Sequence, residues 1–174
     1  MRVLSTGMSA LAVLVAGLAG AGSAQAGFVP ALGSPFPYAA PVVALAAWTM
    51  VMWAWMYATR LPAMSARKLD PDSLARDPDA RLDKLLPPQV QWKAHNYNHL
   101  HEAPTVFYAV AIVLAIVGEG DGTNAWLGWL YVALRVFHSL VQATINRVVL
   151  RFAVFAVSSL VLIVLIVRAA LAVF

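Results

Sequence analysis

The sequence predicts an all-α integral membrane protein, a bundle of four transmembrane helices. Of its 174 residues, 61% are hydrophobic and only 11% are charged, which is far too apolar for an ordinary soluble domain. Four apolar runs have the length of about 20 residues that a helix needs to cross a bilayer core of about 30 Å. They are residues 39–59, 98–117, 125–143 and 152–172.

The N-terminus has the pattern of a cleavable secretory signal. Arg2 precedes an apolar stretch, and small residues then lead to Ala24-Gln25-Ala26. We therefore expect residues 1–26 to be a signal peptide and residues 27–174 to form a single four-helix membrane domain. An uncleaved additional helix is the alternative interpretation.

The first predicted span is expected to end at Arg60 and Pro62, because proline lacks the N–H that a helix interior needs. The hydrophilic segment that follows, residues 61–88, has the mixed charges and prolines of a surface loop. A short helix is expected within it at residues 73–81.

The distribution of Lys and Arg predicts the orientation in the membrane. The connections at 60–93 and 146–151 are basic, whereas the connection at 118–124 has neither residue. The positive-inside rule places the two basic connections in the cytoplasm, so both ends of the mature chain are expected outside it. We expect a multi-pass protein of a bacterial inner membrane. This topology, rather than nucleic-acid binding, accounts for the net charge of +4.

A polar face precedes and enters the second span. The run Trp92 to Tyr108 reads WKAHNYNHLHEAPTVFY, without an evident break between its histidine-rich and apolar parts. On one continuous helix, four of its polar side chains fall within roughly a third of the circumference. They are His95, Asn98, His99 and Glu102. A carboxylate so close to lipid is costly unless it faces protein or water, which makes Glu102 a candidate functional residue.

The third span carries a second polar stripe. Its members recur at spacings of three, four and seven residues. They are Arg135, His138, Ser139, Gln142 and Asn146. Because adjacent antiparallel spans would bring the two polar faces together, we expect Glu102 and Arg135 to approach each other, directly or through a ligand. A pair that only fixes the helix register is the alternative.

Arg147 and Arg151 mark the cytoplasmic end of this polar stripe. They are four residues apart, on one face of the start of the fourth span. An anionic ligand at this end would use both side chains, assisted by the N-terminus of the fourth helix.

Two stretches of the chain resemble the MAPEG family, the membrane-associated proteins in eicosanoid and glutathione metabolism. They are HNYNHLHEAPTVFY, from His95 to Tyr108, and YVALRVFHSLVQATINRVVLR, from Tyr131 to Arg151. The four-span layout with a long first connection is also similar. The resemblance implies a four-helix subunit in a homotrimer in the lipid bilayer, with glutathione between subunits near the cytoplasmic face. It further implies a transferase or peroxidase that acts on lipophilic small molecules, or an eicosanoid synthase.

The resemblance also suggests roles for individual residues. Glu102 and Arg135 match the glutamate and the third-span arginine of the family, and His138 stands at a position that is aromatic or histidine. Arg151 has the spacing of the arginine that stabilises the glutathione thiolate. The peptide part of glutathione would be held by Arg135, Glu102, Asn98 and His99.

Three positions depart from the family pattern. His95 and His99 stand where the family has arginine and asparagine, and Gln142 stands where many active members have tyrosine. Histidine is only fractionally charged near neutral pH, so His95 replaces a permanent cation with a conditional one. A non-catalytic membrane protein that keeps the MAPEG fold is therefore an alternative function.

Metal binding is a further alternative. His95 and His99 at i and i+4, with Glu102 three residues further, could present two imidazoles and a carboxylate to one ion. His101 or His138 could add another ligand. Helix-capping or interface histidines are the commoner explanation of such a run, so no metal ligand is assigned.

Overall fold

The computed structural model of the chain describes residues 39–76, 82–120 and 122–174. These residues fall within one compact unit, Pro35–Phe174. The predicted signal peptide at residues 1–26 lies outside the described residues. The described part of the chain is α-helical and contains no strand, which confirms the predicted all-α class. Its helices are α1 Ala39–Ala66, α2 Pro71–Arg76, α3 Leu82–Leu85, α4 Pro88–His99, α5 Ala103–Ile116, α6 Gly122–Thr144 and α7 Val148–Val173.

Helix α1 continues past the proline that was expected to end it. It runs through Pro62 to Ala66, so the prediction of an end at this proline was wrong. Pro62 removes only one backbone hydrogen bond, and the helix then closes on a left-handed Lys68 with φ 52°. There the N–H of Leu69 bonds to the carbonyl of Met64 at 3.1 Å. This closing turn satisfies a carbonyl that the end of the helix leaves free.

The hydrophilic loop contains two short helices, α2 and α3. Helix α2, Pro71–Arg76, includes the first part of the helix expected at 73–81 and begins two residues earlier, while residues 77–81 lie outside the described residues. A proline in the first turn is favourable because its missing N–H has no helical partner there. The side chain of Asp70 accepts a hydrogen bond from the N–H of Asp72 at 3.1 Å, which fixes the start of the helix.

The second span is interrupted where the sequence suggested a continuous helix. Helix α4 ends at His99, and α5 begins at Ala103 after the turn 100–102. Pro104, in the first turn of α5, cannot donate to the carbonyl four residues earlier, and its ring would clash with that carbonyl. The prediction that Glu102 shares one helical face with the polar residues of α4 was therefore wrong. Glu102 is instead the N-cap residue of α5.

In the described part of the chain, three segments are long and apolar enough to cross a membrane: Ala40–Ala66, Pro88–Ile116 and Val148–Val173. The predicted third span corresponds to α6, which has 23 residues and a length of about 34 Å. Its length suffices, but its polar residues make it less apolar than the other three. Helix α6 packs along α7, to which a connection of only three residues joins it, and against α1 and α4. The four long segments thus form the expected bundle.

An apolar core joins all four segments. Leu45 and Met52 of α1, Phe107 of α5, Tyr131 of α6 and Leu165 of α7 are fully buried within one cluster. The rings of Phe107 and Tyr131 stack with centroids 4.5 Å apart. Such pairs contribute roughly 0.5–1.5 kcal/mol beyond their buried area. Many large apolar side chains on the outside remain exposed, as expected for a lipid-facing surface.

Lys93 of α4 contacts both α6 and α1 at the end of the bundle where α6 ends. Its ammonium group donates to the carbonyl of Gln89 at 2.8 Å and to the carbonyl of Ala143 at 3.2 Å. It also lies 5.3 Å from the centroid of the Trp55 ring on α1. A cation at a helix C-terminus satisfies free carbonyls and interacts favourably with the helix dipole.

Candidate functional site

The polar stripe of α6 is buried in the bundle. Arg135, His138, Ser139 and Gln142 are each less than 5% exposed, so the polar side chains of this helix face inward and its apolar side chains face outward. This confirms the orientation expected for these four residues. Asn146, the fifth predicted member, lies beyond the end of α6 and is only half-buried.

Arg135 is the largest buried side chain of the protein's described residues and is 1% exposed. Its Nε donates to the hydroxyl of Tyr131 at 3.0 Å. The guanidinium carbon lies 5.1 Å from the ring centroids of both Tyr131 and Phe155. Neither terminal nitrogen, Nη1 or Nη2, has a hydrogen-bond partner. Because burial of an unpaired charge is costly, a buried guanidinium is expected to have an acceptor for these nitrogens. The folded chain does not supply one.

Glu102 is bound by a histidine rather than by this arginine. Its carboxylate lies 2.6 Å from Nδ1 of His99, and the side chain is 66% exposed. The expected direct contact between Glu102 and Arg135 is therefore not formed within the chain. The interruption of the second span explains this, because the turn at 100–102 removes Glu102 from the face of α4. An approach through a ligand stays a prediction.

His99 nevertheless connects Glu102 to the buried stripe. The ring of His99 lies 5.0 Å from the ring of His138 and 5.5 Å from that of Phe155. Phe155 is the same ring that covers the guanidinium of Arg135. A continuous set of contacts therefore connects Glu102, at the turn before α5, with Arg135 of α6.

Asn96 is a site residue that the sequence analysis missed. It is fully buried, and its side-chain nitrogen donates to the Oε1 atom of Gln142 at 3.1 Å, which links α4 to α6. Its own Oδ1 has no partner. The available signal was its spacing of four residues from the buried Leu100, which places Asn96 on the inward face. The predicted His95 and Asn98 are instead exposed.

The two arginines at the start of α7 have different environments. Arg151 is half-buried, and its Nη1 donates to Oδ1 of Asn146 at 2.6 Å, while its buried Nε has no partner. Asn146 adopts a left-handed conformation with φ 47°, which asparagine tolerates better than most residues. Arg147 is exposed and is the N-cap of α7 without a side-chain cap. Arg151 lies one turn before Phe155, on the inward face of α7.

Unpaired polar atoms are concentrated in this region. Among the described residues, seven buried side-chain nitrogen or oxygen atoms lack a hydrogen-bond partner, and five of them belong to Asn96, Arg135, Ser139 and Arg151. Folded proteins leave few such atoms, and a group of them points to an absent partner. We use the name polar cluster for Asn96, His99, Arg135, His138, Ser139, Gln142 and Arg151.

Comparison with known proteins identifies the family. The sequence model of the MAPEG family matches residues 38–171, which include all of the helices from α1 to α6 and nearly all of α7. The chain belongs to the MAPEG family. Neither the curated proteins nor the solved structures contain a match. Within the MAPEG match, the polar cluster contains Arg135 and Arg151, two of the residues on which the sequence resemblance rests.

No group of three or more His, Cys, Asp or Glu side chains that could hold a metal ion occurs in the described part of this MAPEG chain. His99 and Glu102 are instead bound to each other. His101 is directed elsewhere, since its Nδ1 lies 2.8 Å from the carbonyl of Tyr97. The geometry therefore gives the alternative of a His/Glu metal site no support.

Proposed function

We propose that this MAPEG protein is a glutathione-dependent transferase or peroxidase that acts on lipophilic substrates. The observation that carries the proposal is the buried guanidinium of Arg135 with two unpaired terminal nitrogens. Two parallel N–H donors match the geometry of a carboxylate, which binds arginine bidentately. Glutathione has two carboxylates, so its binding would satisfy donors that the folded chain leaves free.

The other members of the polar cluster fit the remaining groups of glutathione. Asn96 Oδ1 is an unpaired acceptor and Ser139 Oγ an unpaired hydroxyl, both suited to peptide amides. Glu102 is exposed at the edge of the cluster, where its carboxylate could accept an ammonium group. Tyr131 and Phe155 cover the guanidinium of Arg135 and exclude water from it, which strengthens its interaction with an anion.

Arg151 is the residue that we expect to act on the thiol. Glutathione supplies a sulfur atom whose deprotonated form is a nucleophile or a reductant. A fixed positive charge favours the thiolate over the thiol, and Asn146 holds the Arg151 guanidinium in one orientation. The chain has no cysteine, so no thiol of the protein competes for the substrate. His95 and Arg147, both exposed, remain candidates only for contacts at the rim.

Calorimetric titration of the purified protein with glutathione in detergent tests the proposal. Arg135→Met should weaken binding by about 10- to 100-fold, the value of one charge-assisted hydrogen bond. Arg151→Ala should lower the thiolate fraction of bound glutathione, measured by ultraviolet absorbance. Arg76→Ala is the matched control, because it removes an exposed charge in α2, outside the cluster. Absence of glutathione binding to the wild type would contradict the proposal.

A non-catalytic binding protein is the second candidate. Gln142 occupies the position where many active family members have tyrosine, and its side-chain oxygen accepts the Asn96 bond. A glutamine amide cannot donate a proton as a phenol does. The test compares the wild type with Gln142→Tyr. If both bind glutathione and neither turns over lipophilic electrophiles or hydroperoxides, the result would favour this candidate over the enzyme.

A further inference from the structure

A second charged cleft lies away from the polar cluster, between the turn that precedes α6 and the end of α7. It has a volume of about 210 Å³ and is lined by Glu119, Asn124, Arg168, Leu171 and Ala172. At about 30 Å³ per water, this volume holds roughly seven waters, which is enough for a small polar group and too little for a drug-sized ligand.

Arg168 is fixed within this cleft by a buried amide. Asn124 is 3% exposed, and its nitrogen donates to the backbone carbonyl of Glu119 at 2.7 Å. Its oxygen accepts a hydrogen bond from Nε of Arg168. Both ends of the Asn124 amide are therefore used, and the guanidinium is held against the turn. Arg168 is exposed and makes no other hydrogen bond within residues 39–76, 82–120 and 122–174, so its two terminal nitrogens are available to a ligand.

The cleft presents opposite charges that are not paired with each other. Glu119 and Arg168 both line it, yet the described residues contain no ion pair between them. Arg168 is also the only charged residue in α7 after Arg151, in a stretch of otherwise mostly apolar side chains. A charge in such a stretch is costly and commonly marks a functional contact.

On a centred α7, the side chain of Arg168 reaches the level of the lipid headgroups. Helix α7 has 26 residues and is about 39 Å long, compared with about 30 Å for the hydrocarbon core. A centred helix would therefore extend about 4–5 Å beyond the core at each end. Arg168 precedes the last residue of α7, Val173, by five positions, or about 7–8 Å, and lies just inside the boundary. Its long side chain can reach the phosphate level from there.

We propose that this cleft binds the headgroup of a phospholipid that carries both a phosphate and a primary ammonium group. The guanidinium of Arg168 would bind the phosphate, and the carboxylate of Glu119 would accept hydrogen bonds from the ammonium. Val164, which is 45% exposed and lies one turn from Arg168 toward the membrane centre, offers the acyl chains an apolar surface. The proposal is independent of glutathione binding, because no residue of the cleft belongs to the polar cluster.

Native mass spectrometry of the protein in detergent, with added lipids, tests this inference. The probes are phosphatidylethanolamine, phosphatidylglycerol, which lacks the amine, and phosphatidylcholine, whose quaternary amine has no N–H. The wild type should retain phosphatidylethanolamine about tenfold better than the other two, a ratio that corresponds to one charge-assisted hydrogen bond. Glu119→Gln should remove this selectivity, and Arg168→Gln should lower retention of every phospholipid. The exposed Arg76→Gln is the matched control and should change nothing.

Arg168→Lys keeps the positive charge and controls for a folding defect in Arg168→Gln. It should retain phosphatidylethanolamine, but more weakly than the wild type, because lysine cannot bind a phosphate bidentately. Unchanged retention in Arg168→Gln would overturn the proposal. Binding of inorganic phosphate that depends on Arg168, without retention of any lipid, would also overturn it and would assign the cleft to a free anion.

Discussion

Replacement of Arg135 by methionine should leave the stability of the ligand-free protein nearly unchanged. The substitution relieves two buried donors without partners, worth about 1–3 kcal/mol each. It loses the donor to the Tyr131 hydroxyl, about 1–3 kcal/mol, and contacts with two aromatic rings, roughly 1–2 kcal/mol each. The two sums nearly cancel, so we expect a net change within about 1–2 kcal/mol. An arginine whose only role is structural pairing would instead cost about 3–5 kcal/mol on removal.

The same variant should respond less to ligand than the wild type does. At a glutathione concentration 100 times its Kd, the wild type should be stabilised by about 2.7 kcal/mol, because the ligand binds only the folded state. Arg135→Met, with binding that is about 10- to 100-fold weaker, should gain only about 0.4–1.4 kcal/mol at the same concentration. Thermal unfolding in detergent, with and without glutathione, measures both effects in one experiment.

Two results would refute this reasoning about Arg135. Loss of about 3–5 kcal/mol in the ligand-free variant would show that Arg135 already has a strong partner in the protein as it exists in the membrane. Equal stabilisation of variant and wild type by glutathione would show that the ligand binds elsewhere. Arg135→Lys separates charge from geometry, since it should keep part of the response if a single cation suffices.

Three further substitutions test the bond between α4 and α6, the cation at the end of α6 and the proline inside α1. Asn96→Leu should destabilise the protein by about 1–3 kcal/mol, because Gln142 loses its donor, and adding Gln142→Leu should recover part of the loss in a denaturant titration. Lys93→Met should lower stability by about 1–2 kcal/mol through loss of the bond to the Ala143 carbonyl, and Lys93→Arg should restore part of it in thermal unfolding. Pro62→Ala should raise stability by about 1 kcal/mol, since alanine restores a donor inside α1; a decrease would show that the proline conformation is needed there.

The sequence was informative where periodicity and burial agree. Arg135, Ser139 and Gln142 are spaced so that a single helix presents them on one face, and a polar face within a membrane helix has to turn inward. Their burial therefore follows from the pattern alone. The four long helical segments follow in the same way from the apolar runs, because each run has the length of a bilayer core.

The position of Glu102 could not be predicted because it depends on a choice that local sequence leaves open. Pro104 is compatible both with a kink inside one helix and with the first turn of a new helix. In the structure, Pro104 lies in the first turn of a new helix. The Glu102 carboxylate then contacts His99, which precedes it by three residues. Asn96 was missed for a different reason: neighbouring polar residues hide it in a run where nearly every face contains a hydrophilic side chain.

The polarity of α6 has a consequence for how the chain enters the bilayer during synthesis. A translocon recognises segments largely by their apolarity, and α7, the most apolar of the three described spans, is recognised far more readily than a helix with a central arginine. Helix α6 should therefore insert together with α7 as a hairpin. A ribosome-bound chain that is truncated before α7 should leave α6 on the aqueous side, where added protease can reach it.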